Sequence, residues 1–231
     1  MKNFKKSLLA IVLTLTLVST SQAQDDWANL KKFQENNMTI GAPSVYENRV
    51  VFMGNSITIG WINSRPEFFK DKPFINRGIS GQTTPQMLLR FRQDVIDLKP
   101  KVVVILAGTN DIAGNTGPMT LEQILDNIKT MCEAAEANNI KVVLSSVLPA
   151  FDYPWRPGLK PNEKIPALNK MIAAYAKESG HVYLDYFSAM ADERNGLPKK
   201  YANDEVHPTP EGYSVMEPMV EKAIATALTK N

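Results

Sequence analysis

The sequence predicts an α/β fold, a three-layer α/β/α sandwich around a central, mostly parallel sheet of five strands. Three observations carry that expectation. Short apolar runs alternate with helical patterns from about residue 49 onward; the runs are apolar at every position, as in Val102-Val103-Val104-Ile105-Leu106; and no repeat, low-complexity tract or linker divides the chain. Strands of that composition are buried on both faces, as in a parallel sheet covered by helices. Alternation over one compact length gives a single layered domain. With 231 residues, 44% hydrophobic and 22% charged, the chain is long enough for a sizeable core.

Taken in order, residues 1–23 carry Lys2, Lys5 and Lys6, an apolar run from Leu8 to Val18, and Ser21-Gln22-Ala23. A basic head, a short apolar middle and a small-residue cleavage site predict a secretory signal peptide. The run is short for a membrane span, and no cysteine follows the cleavage site to take a lipid. The expected location is therefore secreted or periplasmic, with no integral membrane association after cleavage. The formal charge of +2 becomes −1 once those three lysines are set aside, which argues against nucleic acid as a partner. The lone Cys132 cannot form an intramolecular disulfide and reads as a buried, inert thiol.

Residues 24–48 predict a short amphipathic helix opened by Asp25 and Asp26, with Trp27, Leu30 and Phe33, and then a connecting loop. Strands are expected at 49–53, 73–76, 101–107, 141–146 and 181–185. Helices are expected at 85–98, 121–138, 163–179 and 210–229. Thr84-Pro85 and Thr209-Pro210 each place a threonine cap before proline at the first helical position, and Gly180 stops a helix. The stretch 147–161, rich in proline and aromatics, is too long to be a bare connection.

In an open parallel sheet, ligands bind beyond the carboxyl ends of the strands. There the sequence places Gly54-Asn55-Ser56-Ile57-Thr58, then Asn76-Arg77-Gly78-Ile79-Ser80-Gly81-Gln82-Thr83, then Gly108-Thr109-Asn110-Asp111; Asp204-Glu205-Val206-His207-Pro208 precedes the last helix. Taken singly, each is a turn, a cap or a piece of backbone geometry. Together they are the parts of an acyl-transfer site. Ser56 can attack, His207 can take its proton, and Asp204 can hold the other imidazole nitrogen. The Gly81 N–H, the Asn110 amide and the Ser56 N–H can face a developing oxyanion. His181 opens a strand with no polar partner nearby in sequence and reads as structural.

These four blocks resemble the SGNH hydrolases, the GDSL-type lipases and acylhydrolases, in particular the branch similar to platelet-activating-factor acetylhydrolase. The resemblance runs from about residue 49 onward, so 49–231 is read as the hydrolase domain, with a flavodoxin-like sheet implied. It places the nucleophile on Ser56, the oxyanion donors on Gly81 and Asn110, and the rest of the triad on Asp204 and His207. Asn55 stands where the family usually has aspartate, and Ile59 where relatives in this branch often carry an acid. The Gly-x-Ser-x-Gly elbow of α/β-hydrolases is absent, since Thr58 follows Ile57.

The expected activity is that of a secreted serine esterase using no cofactor, acting on small-molecule or glycan esters with short, acetyl-like acyl groups. A lysophospholipase or thioesterase is the alternative within the chemistry. A glycan- or anion-binding protein on the same fold is the alternative outside it, but it leaves Asp204 and His207 without a role. Two histidines and one cysteine do not assemble a usual zinc set, so no metal is expected. Trp155 and Arg156, in the 147–161 stretch with Phe151 and Tyr153, are candidate substrate-binding residues. The competing reading has these aromatics close the edge of the core, and the same choice applies to Trp61 and Arg77.

Overall fold

A computed structural model of the chain describes residues 26–230. The expected signal peptide therefore lies outside the described residues. Five parallel strands, β1 (Val50–Gly54), β2 (Phe74–Gly78), β3 (Val102–Leu106), β4 (Lys141–Ser145) and β5 (Val182–Leu184), form one sheet in the order β2-β1-β3-β4-β5. That is the flavodoxin-like order, with its switch point between β1 and β3.

The alternation of side chains along each strand builds two cores. Val51, Met53, Val103, Ile105, Val142 and Leu144 face α4 (Thr84–Asp94), α6 (Leu121–Glu136) and α7 (Pro161–Glu178). Val50, Phe52, Val102, Val104 and Val143 face α2 (Ser56–Ser64), α3 (Pro66–Phe69), α8 (Tyr186–Met190) and α9 (Pro210–Thr229). Trp61 belongs to this second core, stacked on Phe68 at 5.0 Å and on Tyr213 at 5.5 Å between ring centroids. Its role is packing. Cys132 is buried, and burial raises its thiol pKa far above the ordinary value.

Three local expectations need correction. Where the helix expected to open at residues 25–26 would run, residues 26–33 instead form a run of turns followed by α1 (Gln34–Ile40), with Asp25 outside the described residues. The Asp26 carboxylate takes the N–H groups of Leu30 and Lys31 at 2.7 and 3.0 Å, and Asn29 adopts φ 54°, which leaves the helical path. The helix expected over 85–98 ends at Asp94, whose carboxylate is engaged by Arg90 and Asn37, and a 3-10 turn (Ile96–Leu98) then leads toward β3. Its cap is Thr83, and Thr84 is the first helical residue. Among the described residues no helix is long and apolar enough to cross a membrane.

Candidate active site

The register of the sheet brings three of the four blocks together. Gly54 at the end of β1 is paired with Gly78 of β2 on one side and with Leu106 of β3 on the other, so the loops after these strands emerge side by side. Both glycines are required by the first turn of α2. A Cβ on Gly54 would lie 2.0 Å from Thr58 Oγ1, and one on Gly78 would lie 2.2 Å from the Ile59 backbone nitrogen. Asn55 turns the chain into α2 by accepting the Ile57 N–H on its side-chain oxygen at 3.0 Å. Ser56 is then the first residue of α2, where its own N–H has no partner within the helix.

The fourth block arrives from the far end of the chain. Ser56 Oγ lies 2.9 Å from His207 Nε2, and His207 Nδ1 lies 2.7 Å from Asp204 Oδ2. An ionised carboxylate can only accept, so Nδ1 carries the proton and Nε2 is left to accept from the Ser56 hydroxyl. Asp204 Oδ1 takes the N–H groups of Val206 and His207 at 3.0 and 2.7 Å, a turn that Glu205 closes at φ 63°. Partial burial pushes the Asp204 carboxyl pKa up. Hydrogen bonds from the His207 ring and from the two backbone N–H groups outweigh it and leave the pKa below the ordinary carboxylate value.

The loop is held at its other end, where the Thr209 N–H donates to the Tyr201 carbonyl at 2.7 Å and Thr209 caps α9. Tyr213, one turn into α9, donates its hydroxyl to the Ile57 carbonyl at 2.7 Å and so ties α9 to α2. The His207 and Asp204 side chains keep 41% and 44% of their surface exposed, so this end of the line opens to solvent.

Gly81 adopts φ 77°, a backbone conformation that favours glycine; a Cβ there would have room, its nearest neighbour being Asn115 Nδ2 at 3.9 Å. Its N–H has no acceptor among the described residues, while its carbonyl is held by Asn115 Nδ2 at 3.0 Å. Asn110 lies in the short helix α5 (Thr109–Ile112) and spends one amide N–H on the Gln82 carbonyl at 2.9 Å. Asp111 is turned away from the site. Its Oδ1 accepts from the N–H and hydroxyl of Thr84 at 2.9 and 2.6 Å, and burial raises its carboxyl pKa.

The 147–161 stretch divides its aromatics among three tasks. Tyr153 is fully buried and fixed to Thr109 by bonds of 2.9 and 3.0 Å, closing the core. Phe151 lies beneath the Arg194 guanidinium at 4.8 Å, and Arg194 in turn reaches Glu205 at 3.6 Å. Trp155 is 45% exposed, stacks on Tyr153 at 5.2 Å and lies 6.0 Å from the His207 ring, centroid to centroid. Arg156 donates from Nη1 to the carbonyls of Ala113 and Gly114 at 2.6 and 2.7 Å, which fastens the stretch to the segment after α5. Arg77 is structural as well: its guanidinium bonds Asn36 and Asn37, and burial lowers its pKa to about 10.

The family model for GDSL-like lipase/acylhydrolase proteins matches residues 52–215. Among solved structures, a protein from Bacteroides fragilis is 47% identical, over 89% of this chain and 100% of its own, with a TM-score of 0.87. A GDSL-like lipase from Bacteroides thetaiotaomicron is 49% identical, over 87% of this chain and 99% of its own, with a TM-score of 0.85. An acetylxylan esterase from Xylanibacter ruminicola is 27% identical over 223 residues, 80% of this chain and 45% of that protein. The chain spans between a third and just under half of the curated relatives it matches.

Proposed function

The chain belongs to the GDSL-like lipase/acylhydrolase family, and from that premise we propose that it is an exported serine esterase that removes short acyl groups, acetyl above all, from glycan esters. The observation that carries the ester chemistry is the line from Ser56 through His207 to Asp204, with bonds of 2.9 and 2.7 Å. In this reading His207 takes the Ser56 proton as Oγ attacks the ester carbonyl. The oxyanion is met by the N–H groups of Ser56 and Gly81 and by the free amide N–H of Asn110. His207 returns the proton to the departing alcohol, leaving an acyl group on Ser56. Water, activated by the same imidazole, then releases the acid.

Because the alcohol leaves beside His207, the exposed face of Trp155 is placed to stack on the alcohol side of the ester, where a sugar ring presents a flat face of C–H groups. The acetylxylan esterase among the relatives supports the same direction. Export rests on the character of residues 1–23.

The test compares nitrophenyl esters of increasing acyl length with acetylated xylo-oligosaccharides, using Ser56→Ala as the inactive control. Preference for acetate, with acetic acid released from the oligosaccharide, is the expected result. Rates that climb with chain length would move the assignment to lipid esters, and equal turnover by Ser56→Ala would remove the serine mechanism.

A further inference from the structure

Asn110 is held by a residue that no part of the proposed chemistry names. Gln82 is 1% exposed and engages its backbone carbonyl and both side-chain polar atoms. The carbonyl accepts from Asn110 Nδ2 at 2.9 Å, Oε1 accepts from Arg90 Nε at 2.5 Å, and Nε2 donates to the Ala28 carbonyl at 2.7 Å. Arg90, fully buried, carries the network onward. Its Nη2 donates to the carbonyls of Gly54 and Arg77 at 3.0 and 2.8 Å, and its Nη1 pairs with Asp94 at 3.0 Å.

The N-terminal segment closes the circuit. Asn37 donates to Asp94 Oδ1 at 2.8 Å, while Asn36 and Asn37 accept from Arg77 Nη2 at 2.8 and 2.6 Å. One polar network, buried at Gln82, Arg90 and Asp94 and partly exposed at Asn36 and Asn37, thus joins residues 28–37 to the strand ends before Ser56 and Gly81, and to Asn110.

The geometry of an amide gives this network a consequence. A carboxamide is planar, so fixing the direction of one N–H fixes the other. The Gln82 carbonyl takes one N–H of Asn110, and Gln82 cannot shift without leaving buried groups of Arg90 and Ala28 unpaired. We propose that Gln82 is a positioning residue: clamped between Arg90 and the Ala28 carbonyl, it aims the second N–H of Asn110 at the oxyanion. The inference rests on the reading of Asn110 as an oxyanion donor.

A double-mutant cycle tests it, with nitrophenyl acetate as substrate. Gln82→Met keeps the side-chain length and removes both side-chain bonds. In the otherwise native chain it should lower kcat about tenfold with KM within about twofold. In the Asn110→Ala background it should change kcat by less than about twofold, because the group it aims is gone. Thermal unfolding of all four proteins should give the same loss in Tm in both backgrounds. Gln82→Glu, which keeps the acceptor for Arg90 and removes the donor to Ala28, goes through the same cycle and must show the same dependence on background. Equal kcat losses in the two backgrounds would make Gln82 structural and overturn the proposal, as would no loss in the native background. An Asn110→Ala protein with unchanged kcat would overturn the oxyanion reading itself.

Discussion

Asn55 supplies what the turn into α2 needs, a side-chain oxygen for the Ile57 N–H, and an amide serves as well as a carboxylate. A carboxylate is needed elsewhere, at Asp204, and its environment sets a pH prediction. Its pKa is depressed in the folded protein, so the stability it contributes is complete above the unfolded value of about 3.9 and is lost only as pH falls through the lower folded value. Asp204→Asn should therefore lower the Tm at neutral pH by an amount that shrinks as pH falls through the carboxylate range, read as the difference between the two proteins' thermal transitions. A difference that does not change with pH would mean that the Asp204 charge contributes nothing to the fold.

At the scale of elements, Gly54 and Gly78 are where β1, β2 and α2 touch, and the two make unequal demands. A Cβ at Gly54 meets the Thr58 side chain, 2.0 Å from Oγ1 and 2.9 Å from Cβ, and the Leu106 carbonyl oxygen at 3.0 Å; rotation of the hydroxyl removes the worst of these and leaves the two contacts near 3 Å to small shifts. A Cβ at Gly78 meets only backbone, at 2.2 Å from Ile59 N and 2.8 Å from Asn55 O, and can be relieved only by moving α2. Gly78→Ala should therefore destabilise by more than the roughly 1–3 kcal/mol usual for overpacking. Gly54→Ala should fall within that range, measured by denaturant unfolding. The reverse order would mean that α2 is free to slide.

The elements legible in the sequence are those with a local signature. The strands announce themselves by being apolar at every position, and the last helix by Thr209-Pro210. The helix Ser56–Ser64 has no amphipathic contrast to betray it, since its buried face of Ile57, Thr58 and Trp61 includes a polar residue while Ile59 and Ile62 stand on the half-buried remainder. The four site blocks were legible because the proposed acyl transfer needs those residue types, three of the blocks at strand ends and one before the last helix, and the structure brings Ser56, His207 and Asp204 within hydrogen-bond reach. Gln82 and Arg90 were not, because their meaning lies in partners as distant as Ala28 and Gly54. One trace was present: Arg90 falls in step with Met87, Phe91 and Asp94 on the buried face of α4, where an arginine demands a partner.

At the scale of the whole molecule, residues 26–37 are bonded into the same polar network as the strand ends that precede Ser56 and Gly81. Removal of residues 26–37 orphans Arg77 Nη2, Gln82 Nε2 and Asp94 Oδ1. At about 1–3 kcal/mol for each buried group so orphaned, a chain beginning at residue 41 should melt at least about 5 °C below the one beginning at residue 24. An unchanged Tm would mean that water replaces the segment without cost.

The bond between Ser56 and His207 spans 151 positions of sequence, so under the proposed mechanism the two ends of the fold hold separate halves of one reactive group. A chain cut before residue 204 keeps Ser56 and lacks both Asp204 and His207. In that reading its serine is an ordinary alcohol, and mixing the two fragments so that they reassociate is what would restore turnover.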